Sequence, residues 1–235
     1  MSRALAIVAT GEYNEFMPKL IETGRKYFGG HFYVFTDQPN DYKKVDITTI
    51  EIPHYGWPKM PLLRFETFYN NKDVFEQDYI FTLDAEAEFV APINNSINDY
   101  RVATLHRNIT RLRQDFNYES RIESTAYIAP HEGEKYYACG FVGGARREFL
   151  KMCETLSRNI RADIYNGIRA RWGDESHINR YLIDNPPTTI LPPNYMCPWG
   201  NPYFVPFIKH RDKQFKRVNV EDTEKYLVVN PKDYE

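Results

Sequence analysis

Cysteine is scarce in this chain. Cys139, Cys153 and Cys197 are the only three in 235 residues, and none forms a C-x-x-C pair. That argues against a disulfide framework and against a structural zinc site. The 6 histidines contain no H-x-x-x-H or similar pair, which speaks against a histidine metal centre. No apolar run approaches the roughly 20 residues a membrane-spanning helix needs. The opening "MSRALAIVATGEY" carries only about seven apolar residues before a glycine turn, and it lacks a signal-peptide cleavage pattern. Charge of one sign is missing as well. Lysine plus arginine number 30 against 32 acids, a net charge of −2, so nothing electrostatic favours nucleic acid or an anionic membrane. Together these lacks predict a soluble protein of a reducing, cytoplasmic compartment.

Apolar residues make up 42% of the chain and aromatics 15%. That is enough for one sizeable domain or two small lobes sharing a core. "ALAIVAT" (4–10) is a continuous apolar run ending at Gly11, as expected of a strand covered on both faces. Residues 14–28 place Phe16, Leu20, Thr23 or Gly24, and Tyr27 at helical spacing, with Pro18 in the first turn. "HFYVFTD" (31–37) predicts a second strand, stopped by the turn Gln38-Pro39-Asn40-Asp41. A helix is expected from about residue 61, with Leu62, Phe65, Phe68 or Tyr69, and Phe75 on one face. "DYIFTLD" (78–84) and "RVATLH" (101–106) give a third and a fourth strand. Strands alternating with helices predict a mainly parallel sheet and an α/β fold. Ligands of such sheets sit at the carboxyl ends of strands, where Asp37 and Asp84 fall. Residues 107–125 are polar and irregular, suited to a substrate loop. Beyond them "AYIAP" reads as a strand, "YYACGFVGGARREFLKMCETLSRNI" as a turn leading into a helix, and "GDESHINRYLIDNPP" as a second helix. From Lys209 the chain is highly charged and weakly periodic.

Three constellations stand out. In "YIFTLDAEAEFVAP" (79–92) the acids Asp84, Glu86 and Glu88 follow a strand-like run at i, i+2, i+4. Alternation would put all three on one side of an extended chain. This is either a solvated strand end or a carboxylate set for a divalent cation bridging diphosphate oxygens, to which Mg²⁺ or Mn²⁺ is suited. In "RWGDESHINRYL" (171–182) Asp174 can be a helix N-cap, with Glu175 complementing the dipole. Alternatively Glu175 is aimed at a reacting carbon and Asp174 orients a sugar hydroxyl. In "YYACGFVGGARREF" Gly140, Gly143 and Gly144 open a helix and let a ligand or another strand approach the backbone. No G-K-[ST] follows, so this is not a P-loop.

Six ordered segments with similar spacing resemble the retaining glycosyltransferases that include the blood-group A and B transferases and the α-1,3-galactosyltransferase, glycosyltransferase family 6. They are "YVFTDQP" (33–39), "YGWP…LLRFE" (55–66), "FTLDAEAEF" (81–89), "ATLH" (103–106), "STAYI…EGEKYYACGFVGG" (124–144) and "WGDESHINRYL" (172–182). The resemblance covers about Ile7 to Pro193 and is similar to the compact bacterial or viral members. It implies one GT-A catalytic domain over 1–235. A Rossmann-like nucleotide-sugar half (about 1–100) joins an acceptor-binding half (about 101–208), followed by a charged tail (209–235). It also implies transfer of N-acetylgalactosamine or galactose from UDP-GalNAc or UDP-Gal to the 3-hydroxyl of a galactoside oligosaccharide, in α linkage. By position, Val8, Ala9, Thr10 and Tyr13 line the uridine pocket, and Arg64 lies near the diphosphate. Asp84, Ala85 and Glu86 stand at the D-x-D positions, with Asp84 and Glu86 as metal ligands. Ala138, Cys139 and Gly140 face the donor sugar, and His106 and Trp172 the acceptor. Asp174 and Glu175 complete the catalytic end, Glu175 as nucleophile or as ion-pair stabiliser.

The chain departs from the family pattern in four places. Asp84-Ala85-Glu86 replaces D-x-D, where several bacterial relatives carry N-x-N and need no metal. Two carboxylates facing a diphosphate with no cation would repel it by about 1 kcal/mol per charge pair at 4 Å even in water, so the acids predict Mn²⁺. Gly173 replaces the usual histidine. "RNIT" after His106 replaces P-G-F-Y, so acceptor identity does not carry across. The family's basic tail closes over the diphosphate, and Arg211, Lys213, Lys216 and Arg217 are the candidates here. Ala138 and Gly140 are small, which leaves room beside the sugar's C2 substituent and predicts UDP-GalNAc over UDP-Gal. Two other functions compete: a catalytically weakened UDP-sugar or glycan-binding protein, marked by Gly173 and the altered acidic motif, and a metal-dependent nucleotidyl or phosphoryl transferase.

Overall fold

In β1 (Arg3–Val8) Leu5 and Ile7 join one core cluster and Ala4 and Ala6 another, all four without exposure. The strand is covered on both faces, as its unbroken apolar run requires. The computed structural model describes residues 1–42, 44–107, 112–211 and 227–234. Around β1 a seven-stranded sheet forms from β2 (His31–Thr36), β3 (Ile47–Glu51), β4 (Tyr79–Leu83), β6 (Arg101–Leu105), β7 (Tyr137–Ala145) and β8 (Thr189–Leu191), in the order β3-β2-β1-β4-β7-β6-β8. The first four strands run parallel, β7 is antiparallel to both β4 and β6, and β8 is parallel to β6. A two-stranded antiparallel ladder pairs β5 (Ala87–Phe89) with β9 (Ile208–His210).

Helix α1 (Met17–Tyr27) buries Met17, Leu20 and Ile21 against the face carrying Leu5, Ile7, Phe32, Val34 and Phe81. A 3₁₀ turn (Gly11–Phe16) precedes it, so the helix starts later than the periodicity of 14–28 suggests; Pro18 still occupies its first turn. On the other face α2 (Lys59–Asn70), α3 (Arg146–Tyr165) and α4 (Asp174–Asp184) pack Phe65, Phe68, Phe149, Leu156 and Ile178 onto Ala4, Ala6, Tyr33, Phe35 and Ile80. The sheet is continuous through both expected halves, joined where β4 meets β7.

Two expectations are corrected. "AYIAP" is no strand; Tyr127 makes a single bridge to Glu119. The strand lies instead in "YACGFVGGA", where a turn was expected, so Gly140, Gly143 and Gly144 lie within β7 and do not open the helix. A Cβ on Gly143 would come within 2.1 Å of the Ile80 carbonyl, and one on Gly144 within 2.4 Å of that of Tyr100. These glycines let β4 and β6 close on β7, not a ligand. Because β7 runs against β4, its first residues reach the edge where β1, β2 and β4 end. There the Asp84 N–H donates to the Gly140 carbonyl at 3.2 Å.

Candidate active site

At this edge lies a cleft of about 680 Å³. That volume falls within the roughly 300–1,000 Å³ range of small-molecule sites. Of the residues singled out in the sequence, Val8, Thr10, Tyr13, Arg64, Asp84, Ala85, Glu86, Cys139 and Asp174 line it. They come from the ends of β1 and β4, the middle of α2, the start of β7 and the first turn of α4. His54 and Trp57, from the loop between β3 and α2, also line the cleft, and the sequence reading missed both. The His54 Nδ1 lies 2.9 Å from Thr10 Oγ1, tying that loop to the end of β1. Asp37 accepts from the Gly11 N–H and from Asn14 Nδ2, which holds the turn after β1 in place.

Arg64 is the electrostatic centre. Its Nη1 donates to Asp84 Oδ1 at 2.8 Å, and its Nη2 to the Cys139 carbonyl at 2.9 Å, while Nη2 pairs with Asp174 Oδ2 at 2.7 Å. Burial opposes the guanidinium's charge, but Asp174 and Asp84 outweigh it and raise its pKa. Asp174 shows the converse balance: burial raises its pKa against the pull of Arg64, one cation being shared by two carboxylates. Asp174 is the first residue of α4 and not its cap. The cap is Gly173, at φ 57° and ψ −128°, a conformation that disfavours every residue with a Cβ. Gly173 therefore has a backbone role of its own in placing the two acids.

Glu175 is held differently. The Tyr136 hydroxyl donates to its Oε1 at 2.8 Å and the Cys139 N–H to its Oε2 at 3.2 Å. Burial raises its pKa, and these two donors oppose the rise. Asn179, one turn on, fixes α4 against β7: its Oδ1 accepts from the Tyr137 N–H, and its Nδ2 donates to the Tyr137 and Glu175 carbonyls, each at 2.9 Å. Tyr136 also meets His106, ring to ring at 5.4 Å, while the His106 N–H donates to its carbonyl. It thus connects the expected acceptor residue to the expected catalytic one. A tyrosine between Lys135 and Tyr137 carries no sign of this in the sequence.

The acidic run does not stay extended. The Ala87 N–H donates to the Asp84 carbonyl at 3.0 Å, so residues 84–87 turn and Glu88 leaves the group to pair with Lys209 at 3.4 Å. Asp84 and Glu86 are joined instead by His210 of β9, their ligand atoms all lying within 4.8 Å. Two carboxylates and an imidazole suit a divalent ion such as Mn²⁺. Among the described residues the buried His210 Nε2 has no hydrogen-bond partner, and so fits such an ion. The Arg211 N–H donates to the Glu86 carbonyl, and its guanidinium lies over Phe16. Lys213, Lys216 and Arg217 fall outside the described residues.

Ala9, expected in the uridine pocket, and Ala138, Gly140 and Trp172 are not among the residues that line the cleft. Ala9 is fully buried in the core under α1, and Ala138 is buried in the same cluster. Trp172 is half-buried before α4, its N–H bonded to Ser176 Oγ at 3.1 Å. Gly140 faces no open space: a Cβ there would meet Met196 Cε at 2.0 Å and Asp84 Oδ2 at 2.7 Å. The room expected on that side for a sugar substituent is filled by Met196.

Among the described residues no helix is long and apolar enough to cross a membrane. Residues 2–221 match glycosyltransferase family 6. The chain is 33% identical to "Histo-blood group ABO system transferase 1" of Rattus norvegicus over 82% of its own length and 60% of that protein's. It is 32% identical to "Globoside alpha-1,3-N-acetylgalactosaminyltransferase 1" of Homo sapiens, with the same coverage. To "O-antigen biosynthesis glycosyltransferase WbnI" of Escherichia coli it is 28% identical over 77% of this chain and 81% of that one. The match thus spans about 60% of the length of the first two relatives. A mixed α/β sheet with acids at its strand ends, matched to the family over nearly the whole chain, places it: this chain belongs to glycosyltransferase family 6 and has its GT-A fold.

Proposed function

We propose that the chain transfers a sugar from a UDP donor to the 3-hydroxyl of a galactoside with the α configuration retained, using N-acetylgalactosamine ahead of galactose. The observation that carries this reading is Glu175. It is a carboxylate held by a hydroxyl and a backbone N–H beside a cleft whose other wall presents Arg64, Asp84 and Asp174. Breaking the bond between the anomeric carbon and the phosphate oxygen sends the electron pair to UDP and leaves positive charge on the sugar. Glu175 meets that charge as nucleophile or as ion-pair partner, while the acceptor hydroxyl forms the new bond and gives its proton to the departing diphosphate. Asp84 and Glu86 would hold Mn²⁺, which supplies charge neutralisation of the diphosphate. Thr10, Tyr13, His54 and Trp57 offer the surface for the uridine, and His106 with Tyr136 the approach for the acceptor.

The GalNAc preference is supported by the human relative, which is named for N-acetylgalactosamine transfer. Galactose forgoes only the contacts of the N-acetyl group, about 1–3 kcal/mol, so it is a poor substrate and not an excluded one. The test is incubation with each UDP sugar and a galactoside library, with UDP and product read by mass. One added N-acetylhexosamine on a terminal galactoside is expected. A higher kcat/KM for UDP-Gal overturns the preference, and UDP-sugar binding without turnover overturns the activity.

A further inference from the structure

The acidic turn alone offers an ion two carboxylates, and the fold adds a nitrogen. Antiparallel pairing of β5 with β9 sets Ala87 opposite His210, and the Arg211 N–H donates to the Glu86 carbonyl at 2.8 Å. Backbone register thus delivers the imidazole to the turn. Its Nε2 is shut off from solvent, has no hydrogen-bond partner among the described residues and stands 3.7 Å from Asp84 Oδ2. Arg64 binds the other oxygen of that carboxylate, which orients Oδ2 towards the histidine. Gly140 leaves Oδ2 its room, since a Cβ there would sit 2.7 Å away. The three ligand atoms fall within 4.8 Å of one another. Ligands of one octahedral ion with bonds of about 2.2 Å stand about 3–4.4 Å apart, so small side-chain rotations close the set.

We propose that His210 is a third protein ligand of the ion, and that with three ligands the site loads Mn²⁺ before any nucleotide arrives and prefers it to Mg²⁺. A two-carboxylate site leaves most of the coordination sphere to diphosphate oxygens and water, so its ion comes with the nucleotide. A third ligand fixed by the backbone removes that dependence. An imidazole nitrogen also favours Mn²⁺ over Mg²⁺, which seeks oxygen and keeps its waters. The proposal deepens the donor-site reading, but the loading step stands apart from it.

The experiment is a Mn²⁺ titration of the free protein by electron paramagnetic resonance, without nucleotide and then with UDP, followed by competition with Mg²⁺. One tightly held Mn²⁺ per chain is expected without UDP. His210→Ala and His210→Gln should each weaken it by at least about tenfold, and UDP should restore part of the loss. Melting curves in chelator show whether the variants keep their fold; if they do not, nucleotide-free binding and the Mn²⁺ preference of the unaltered protein decide. Mn²⁺ binding that needs UDP, or equal affinity in folded His210 variants, overturns the proposal while leaving the donor reading intact. Nucleotide-free Mn²⁺ binding by a protein with no affinity for UDP supports the proposal and sinks the donor reading.

Discussion

Asp174 and Glu175 are neighbours in the chain, yet the fold treats their charges in opposite ways. Asp174 shares the buried Arg64 guanidinium with Asp84, and the three form one compensated ionic group. Glu175 is held by dipoles, the Tyr136 hydroxyl and the Cys139 N–H. Asp174, tied to the buried guanidinium, has little attraction left for a charge that arises later. A carboxylate held by dipoles keeps its field available for positive charge developing on a substrate. The first turn of α4 thus separates an acid that builds the site from an acid that can act in it.

The largest effect should come from breaking the compensated side. Arg64→Met strands two carboxylates in a desolvated wall, and a loss of about 3–5 kcal/mol is expected in urea unfolding at neutral pH. A loss below about 1 kcal/mol would mean that Asp84 and Asp174 do not depend on the arginine. On the other side, Glu175→Gln should lower transfer by about 10²-fold or more while UDP affinity stays. Its melting temperature should not fall, because burial already disfavours the charged form that the substitution removes. Comparable kcat in this variant would take Glu175 out of its role.

Acidity sharpens the contrast further. Burial raises the Glu175 pKa from 4.5, and the proposed mechanism uses the carboxylate, so activity should be lost as pH falls through a value above 4.5. The Tyr136 hydroxyl opposes that rise, hence Tyr136→Phe should move the acid limb of the rate profile upward. It should also cost about tenfold in rate at neutral pH, the worth of one hydrogen bond to a charged group. An unmoved limb would show that another group titrates there. The smallest effect is expected of Gly140→Ala. Its Cβ would press on Met196 and Asp84, so Mn²⁺ affinity should drop severalfold in a titration while the GalNAc-to-galactose ratio changes little. A strong shift of that ratio towards galactose would put Gly140 back beside the sugar.

The sequence showed the parts of the site that are written locally. Unbroken apolar runs gave β1, β2 and β4, and the acids directly after β2 and β4 marked the ligand edge. The D-E-S-H stretch announced a helix start, since acids in a first turn suit the dipole. What it concealed depends on partners far along the chain. Gly140, Gly143 and Gly144 look like a turn because their reason for lacking side chains is Met196 and the backbones of β4 and β6. β3 was missed because ITTIE is only half-buried and lacks the apolar run of its neighbours. His210 looked like one basic residue in a charged tail, since a three-residue ladder with β5 leaves no periodicity to read.

The antiparallel entry of β7 has a consequence for how the molecule comes to exist. Leu83 is paired with Phe141 and Tyr79 with Ala145, so the strand that presents Asp84 gains its second neighbour only after the intervening chain, β6 included, has been made. During synthesis β1 to β4 can assemble early, with β4 as an open edge offering unpaired N–H and C=O groups. Closing that edge requires bringing distant segments together, an entropic cost that slows folding before it is rewarded. Tyr136, Cys139 and Gly140 reach Glu175 and Asp84 only in the step that seals the sheet, so partly folded chains have neither the complete site nor its chemistry.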